Sequence, residues 1–339
     1  MVLYTGGTIG MVSSNGAYVP GADFSTRLAR QLGESRNELP RFDAVELSQL
    51  IDSANLTPAN WTTIARTLVA NWDHYDGFVV LHGTDTMSYT ASALSYMLQG
   101  CNKPVILTGS QIPLGRPRTD AMDNIISSLA LASLPEISEV CLYFRGNLLR
   151  GNRSRKLKTS ELDAFDSPNM PSLGSGGSKM ELRRDLLLSP GWPDFQVPTF
   201  NPRSVAVLTL FPGMPTALVE AALGLPELKG LVIHTYGAGN APDADNGLIE
   251  ALAQGITQGT AVVNVSQCLQ GRVTQKAYAS GAALDRIGVI PGQDLTPEAA
   301  FTKLHFLLAT GHSGESLRKA LQQPLRGDSG QLVHAAAPC

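Results

Sequence analysis

Short apolar runs alternate with amphipathic stretches along the whole chain. Val2–Tyr4, Ala44–Leu50, Phe78–Leu81, Val105–Leu107, Val140–Phe144, Val205–Leu210, Leu231–Ile233 and Ala261–Val265 read as strands. Most are continuous in apolar character rather than strictly alternating, which is the pattern of strands covered on both faces. Between them the period lengthens toward 3.6. Trp61, Ile64, Ala65, Leu68 and Val69 recur at helical spacing after Thr57-Pro58, a pair suited to the N-cap and first helical positions. Further helices are predicted near Thr86–Leu98, Asp120–Ala132, Gly247–Gln254, Pro297–Leu308 and Glu315–Gln322. Strands alternating with helices specify an α/β fold.

The rhythm breaks twice. SPGWPDFQVPTFNPR, spanning Ser189–Arg203, carries four prolines and no periodicity, and reads as a linker. It divides the chain into a larger N-terminal domain, 1–188, and a C-terminal α/β domain, 204–339. Ser167–Lys179, with three glycines, reads as a mobile loop or a long surface excursion. No repeat of solenoid period is present. The length of 339 residues agrees with two domains.

Composition narrows the function classes. Hydrophobic residues make up 43% and charged residues 16%, enough apolar material for two cores and incompatible with intrinsic disorder. A net charge of −3 leaves no nucleic-acid footprint, and no polybasic cluster or apolar run of membrane-spanning length appears. The N-terminus carries no export signal, so the expected location is cytoplasmic. Cys101, Cys141, Cys268 and Cys339 are scattered, with no CxxC pair and no Cys/His cluster, which points to neither a disulfide framework nor a zinc site. Glycine (33) and proline (21) make a turn-rich chain with backbone free to approach a ligand.

The chemistry concentrates where predicted strands end. Tyr4-Thr5-Gly6-Gly7-Thr8-Ile9-Gly10 follows the first strand; its glycine order fits neither a dinucleotide fingerprint nor a phosphate loop. It is either a plain turn or a threonine nucleophile in need of a base. Met11–Gly21, spaced by Gly10, Gly16 and Gly21 and carrying Tyr18, is an ordinary loop or a hinged lid. In His82-Gly83-Thr84-Asp85-Thr86-Met87, Asp85 either caps a helix or holds a cationic group. Asp52-Ser53-Ala54-Asn55 is either a capping turn or a carboxylate-binding one. Thr108–Pro113 either lines the same crevice or only turns the chain. Arg150–Lys158 holds five cations in nine residues, by charge counting a solvated patch or an anion site.

Together, and in this order, these segments resemble the bacterial type I, cytosolic L-asparaginases. The resemblance rests on YTGGTIG at Tyr4–Gly10, DS at Asp52-Ser53, HGTDTM at His82–Met87, KPVILTGSQIP at Lys103–Pro113, RGNR with Lys156, SPN at Ser167–Asn169 and YGAGNAP at Tyr236–Pro242. It covers about Val2 to Gly327. It implies a larger N-terminal domain with a mostly parallel sheet, a smaller C-terminal α/β domain, and homodimers often paired into homotetramers.

The resemblance further implies that Thr5 attacks the side-chain amide of asparagine, with Tyr18 assisting removal of its proton. Thr84, Asp85 and Lys156 would form a second hydroxyl–carboxylate–ammonium set. Asp52, Ser53, Ala54, Thr84 and Asp85 would hold the substrate, with Asn240 contributed by a second subunit. It implies no metal or organic cofactor, a small-molecule substrate, and no nucleic-acid or membrane partner. Some type I enzymes carry an allosteric asparagine site with a threonine before the catalytic lysine and an arginine before the SYG/TYG segment. Here those positions are Arg155 and His234, with Cys268 kept, which argues against allosteric control in that form. The alternatives are a glutaminase, an ammonia-supplying amidase subunit, or a small-molecule sensor on the same scaffold.

Overall fold

A computed structural model describes residues 1–14, 17–21, 23–176, 180–243, 247–275 and 279–330. The chain divides into two compact units, one of residues 1–167 and 171–197, the other of 168–170 and 198–339. No helix among the described residues is long and apolar enough to cross a membrane.

The first unit is built on β1 (Val2–Gly6), β2 (Met11–Ser14), β3 (Ala17–Pro20), α1 (Phe24–Leu32), β4 (Ala44–Ile51), α2 (Pro58–Ala70), β5 (Phe78–Leu81), α3 (Met87–Met97), β6 (Val105–Thr108), α4 (Ala121–Leu131), β7 (Val140–Phe144), β8 (Asn147–Arg150), β9 (Arg155–Lys156), β10 (Phe165–Asp166), β11 (Gly174–Gly176) and β12 (Met180–Leu182). Among the described residues its large sheet has the order β12-β11-β8-β7-β6-β5-β1-β4. From β4 to β7 the pairs are parallel, and from β7 to β12 they are antiparallel. β1, β5 and β7 are buried at every position, as their unbroken apolar runs require. On one face Val2, Tyr4, Val79 and Leu81 pack with Phe24, Leu28 and Leu32 of α1 and with Ala121, Ile125 and Leu129 of α4. Each such aliphatic side chain, fully buried, contributes about 1.5–3 kcal/mol.

Two features of this sheet position the site. The chain passes from β1 to β4 on one side and returns to β5 on the other. The sheet order therefore reverses between β1 and β5, and their carboxyl ends frame the crevice where open α/β sheets take ligands. The stretch 11–21, expected as a loop or lid, is stranded where it is described: β2 and β3 pair antiparallel as the two arms of a hairpin, with Met11 opposite Pro20 and Ser13 opposite Tyr18. Its Val12/Val19 pair supplies the β-branched cross-strand contact that a loop would lack.

The expected loop at Ser167–Lys179 needs a similar correction. Gly174–Gly176 pair with β8 and β12 and extend the sheet, while 177–179 lie outside the described residues. Glycines offer no side-chain pattern from which a strand can be read.

The second unit comprises β13 (Val205–Thr209), α5 (Thr216–Leu223), β14 (Gly230–Thr235), α6 (Gly247–Thr257), β15 (Ala261–Ser266), α7 (Ala279–Arg286), β16 (Ile290–Pro291), α8 (Pro297–Ala309) and α9 (Gly314–Gln322). Its strands form a separate, wholly parallel sheet in the order β13-β14-β15-β16 among the described residues. The mixed α/β class, with a large mostly parallel sheet and a smaller parallel one, is the architecture the periodicity and resemblance implied.

Candidate active site

Three strand-end turns of the first unit are pressed together, and glycine makes the contact possible. Gly7, at φ +84°, lies so close to the next turn that a Cβ on it would stand 2.3 Å from Gly83 N. A Cβ on Gly83 would stand 2.4 Å from Ser53 Oγ. The turn after β1 is thus in backbone contact with the turn after β5, which in turn packs on the Ser53 side chain of the Asp52–Asn55 turn after β4. Thr86 adds a tie: its hydroxyl donates to Ser53 O at 2.8 Å.

Thr5, 1% exposed, occupies the end of β1. Its hydroxyl donates to Leu81 O on the neighbouring strand β5 at 2.9 Å. Thr84 stands three residues after that carbonyl and is likewise buried. The Lys156 ammonium donates to Thr84 Oγ1 at 2.8 Å and to Asp85 Oδ1 at 2.8 Å. Asp85 therefore does not cap α3; its carboxylate, largely exposed, faces a lysine that is mostly buried. Gln111, from the turn after β6, also reaches this group. Its Oε1 accepts from Thr84 Oγ1 at 3.4 Å, and its Nε2 donates to Thr159 O and Glu161 O, both at 3.0 Å. The segment that follows Lys156 is thereby tied to Thr84.

His82 supports the same turn from beneath. It is 1% exposed, and burial pulls its pKa down to about 4 from 6.5. Nδ1 lies 2.7 Å from Gly83 O and Nε2 lies 3.0 Å from Thr90 Oγ1. A carbonyl oxygen can only accept, so Nδ1 carries the proton and Nε2 accepts the Thr90 hydroxyl. The neutral imidazole thus orients the Gly83 carbonyl, and with it the Thr84 N–H of the same peptide unit.

Asp52 caps the Ser53–Asn55 turn: Oδ1 accepts from Ala54 N at 3.1 Å, and Oδ2 accepts from Asn55 Nδ2 at 3.3 Å. Ser53 is buried and Ala54 exposed. The backbone of Tyr18 belongs to β3, and its side chain lies outside the described residues. Asn240 belongs to the second unit, where its backbone closes a turn with Tyr236 at the end of β14. That turn is held by Asn264, which is fully buried, accepts from Thr235 Oγ1 at 2.6 Å and donates to Gly239 O at 3.1 Å. His234, beside it, has Nδ1 3.2 Å from Thr209 Oγ1.

The cationic run Arg150–Lys158 is not a solvated patch. Arg150 and Arg153 are buried. Arg150 forms an ion pair of 2.6 Å with buried Glu139, whose other oxygen accepts from Leu188 N, while Lys156 serves the Thr84 group. Burial is invisible to charge counting because the partner acids lie elsewhere in the sequence. Among the described residues no group of three or more His, Cys, Asp or Glu is placed to hold a metal ion.

Both halves of the chain match family models. Residues 1–187 match the asparaginase N-terminal domain, and residues 204–321 match the glutaminase/asparaginase C-terminal domain. The chain is 43% identical to L-asparaginase 1 of Escherichia coli (strain K12), covering 96% of each sequence. It is 34% identical to a subunit of the Glutamyl-tRNA(Gln) amidotransferase of Pyrococcus furiosus, over 99% of this chain and 77% of that protein. Its structure superposes with a TM-score of 0.89 on L-asparaginase I from Vibrio cholerae, at 42% identity, covering 97% of this chain and 98% of the other.

Proposed function

The chain belongs to the asparaginase family, and we propose that it hydrolyses the side-chain amide of L-asparagine to L-aspartate and ammonia. The observation that carries this reading is the joining of Thr84, Asp85 and Lys156 beside the β1 end that bears Thr5, at the point where the sheet order reverses.

In this reading the Thr5 hydroxyl turns from Leu81 O and attacks the amide carbon, with Tyr18 assisting removal of its proton. A neutral threonine is a poor nucleophile, which is why a neighbouring proton acceptor is needed. Backbone N–H groups of the Gly83–Thr84 turn receive the oxyanion; one such donor is worth about 10²–10³ in rate. The proton passes to the amide nitrogen, the C–N bond breaks and ammonia leaves, giving a Thr5 ester. Water then attacks the ester, one of its protons returns to Thr5 Oγ, and aspartate is released. The Lys156 ammonium lowers the cost of negative charge on Thr84 Oγ1, so Thr84 can relay protons, and Asp85 holds the lysine in place. Asp52, Ser53, Ala54 and Asp85 take the α-carboxylate and α-ammonium groups of the substrate.

We assign residues 1–188 to a catalytic domain, 189–203 to a linker and 204–339 to a C-terminal domain. The active form is a cytoplasmic homodimer or homotetramer in which Asn240 of a second copy completes the site. The motifs at Tyr4–Gly10, His82–Met87 and Lys103–Pro113 support that assembly and location through their resemblance to the cytosolic type.

The kinship with an amidotransferase component favours a second substrate arm. Ammonia release from L-asparagine and L-glutamine, measured side by side with no added cofactor, tests the proposal. Release from asparagine at millimolar concentration is expected; release from glutamine alone would reassign the substrate, and release from neither would overturn the hydrolase reading. One methylene in a pocket is worth about 1–3 kcal/mol, so the preference is a measured ratio and not an all-or-none property.

A further inference from the structure

We infer that Arg27 is a positioning residue for this reaction: from α1 its guanidinium ties together the two ends of the β2–β3 hairpin and so fixes the path of the strand that presents Tyr18. The inference rests on the reading above, in which Tyr18 assists at Thr5.

The hairpin register closes with Met11 opposite Pro20, so Gly10 and Gly21 are the residues immediately outside it. Gly21 N donates to Gly10 O at 3.3 Å. One nitrogen of Arg27, Nη2, donates to both carbonyls, at 2.7 Å to Gly10 O and 3.1 Å to Gly21 O. A single charged group therefore spans the base of the hairpin. Hydrogen bonds from an ionised donor are shorter and stronger than neutral ones. The fit is close, since a Cβ on Gly21 would come within 2.8 Å of Arg27 Nη2 and 2.7 Å of Val12 Cγ1.

The clamp stands on a fixed base. Ser25, at the start of α1, donates from both its N–H and its hydroxyl to Glu46 Oε1 on β4, at 3.0 and 3.1 Å. The Arg27 guanidinium carbon lies 5.7 Å from the centre of the Phe24 ring. Phe24 is fully buried and stacks on Tyr4 with centroids 4.1 Å apart and planes at 16°. Tyr4 immediately precedes Thr5 in β1. One packed path thus links the hairpin base, α1 and the strand that carries the nucleophile. Gly10 belongs to that path as well, because a Cβ there would stand 2.0 Å from the Tyr4 hydroxyl. Displacing a hairpin at its base shifts the residues it presents, and an error of about 1 Å in a participating group can cost about 10²-fold in rate.

The experiment is a double-mutant cycle on the full chain, reading kcat for L-asparagine in wild type, Arg27→Met, Tyr18→Phe and the double variant, with thermal melting of each. Arg27→Met is expected to lower kcat about 10²-fold while the melting transition persists. Because Arg27 acts through Tyr18, the double variant is expected to be no slower than Tyr18→Phe within about threefold. Arg27→Lys keeps a charged donor and is expected to recover at least about tenfold over Arg27→Met; it also carries the cycle if the methionine variant does not fold. Multiplying losses in the double variant, or wild-type kcat in Arg27→Met, would overturn the inference and leave the asparaginase reading standing. A Tyr18→Phe variant with wild-type kcat would remove both Tyr18 and Arg27 from the reaction. No ammonia from wild type would overturn both the function and the inference.

Discussion

Lys156 Nζ stands 2.8 Å from the Thr84 hydroxyl oxygen, on a lysine that Asp85 grips at the same distance. The ammonium can donate to both because the two acceptors adjoin in sequence and sit on one turn after β5. Removing it takes away the charged donor to both acceptors, and in the proposed relay the group that stabilises charge on Thr84, while leaving the turn's backbone contacts in place. Lys156→Met is expected to lower kcat by about 10²–10⁴, the usual worth of a positioned proton-transfer group. Binding of aspartate, followed by calorimetry, should persist. A variant retaining more than a tenth of wild-type kcat would detach Lys156 from the proton relay.

Thr5 is buried, and in the resting fold its hydroxyl donates to Leu81 O. Losing a bond of that kind costs about 0.5–1.5 kcal/mol of stability. Thr5→Ala should therefore fold and melt a few degrees lower at most, yet lose several orders of magnitude in ammonia release. Thr5→Ser, which keeps the oxygen, should retain measurable turnover. Near-normal kcat in the alanine variant would take the nucleophile role away from Thr5.

Much of this is legible in the chain itself. Phe78–Leu81 and Val140–Phe144 read as strands and are strands to the residue, because continuous apolar runs between polar turns admit little else. Pro58 sets the start of α2, where Asn60 Oδ1 accepts from Thr57 N at 2.7 Å and completes the cap. α5, whose helix buries Val219 but leaves neighbouring positions open, has an apolar run too diffuse to announce its period. α1 escapes the pattern for another reason. Its stripe of Phe24, Leu28 and Leu32 is narrow, and Asp23, although a capping residue type, makes no side-chain cap bond in the fold. The turns of the candidate site are visible as motifs, but the acid paired with Arg150 and the link from Gln111 to Thr84 join residues that no short motif contains. No local pattern encodes such pairings.

The contact between Gly7 and Gly83 gives a sharp steric prediction. A methyl group on Gly7 would meet Gly83 N at 2.3 Å and Gly83 Cα at 2.4 Å, on a backbone with φ of +84°. Strain and overpacking of this kind each cost about 1–3 kcal/mol. Gly7→Ala is expected to lose about 2–5 kcal/mol in urea unfolding, and whatever folds should have a displaced Thr84 turn and a kcat lowered at least tenfold. Unchanged stability would mean that the two turns are not in backbone contact.

In the second unit, Lys303 of α8 and Asp328 form an ion pair of 2.9 Å with both side chains wholly buried. The ammonium also donates to Gln323 O at 2.7 Å and Leu321 O at 3.3 Å, and Asp328 Oδ1 accepts from Leu325 N at 2.9 Å. The pair thus pins the segment after α9 onto α8. Removing one partner leaves the other a buried charge without this ion pair, at about 3–5 kcal/mol. Lys303→Met should show that loss in urea unfolding. The double variant Lys303→Met, Asp328→Leu should be more stable than Lys303→Met alone, because neither buried charge remains. Equal stability of single and double variants would refute the buried-charge argument.

Acid should weaken the fold through its buried histidines. His82 and His305 both have pKa values lowered by burial to about 4. In the unfolded chain each takes up a proton as pH falls through about 6.5. In the folded chain each stays neutral down to about 4. Between those values the unfolded state binds more protons, so stability falls as pH drops from 6.5 toward 4, whereas above 6.5 the contribution is fully present. The gap corresponds to about 3 kcal/mol per histidine at most. His305 separates this effect from catalysis, since it packs edge-on against Phe301 and Phe200 with ring centroids at 4.6 and 6.1 Å. Nδ1 also lies 3.4 Å from Ser204 Oγ; a phenyl ring gives up that long contact but keeps the ring packing and does not titrate. His305→Phe should therefore flatten the decline of unfolding free energy between pH 6.5 and 4.5 without changing kcat at neutral pH. Parallel pH dependences of variant and wild type would assign the acid response to other groups.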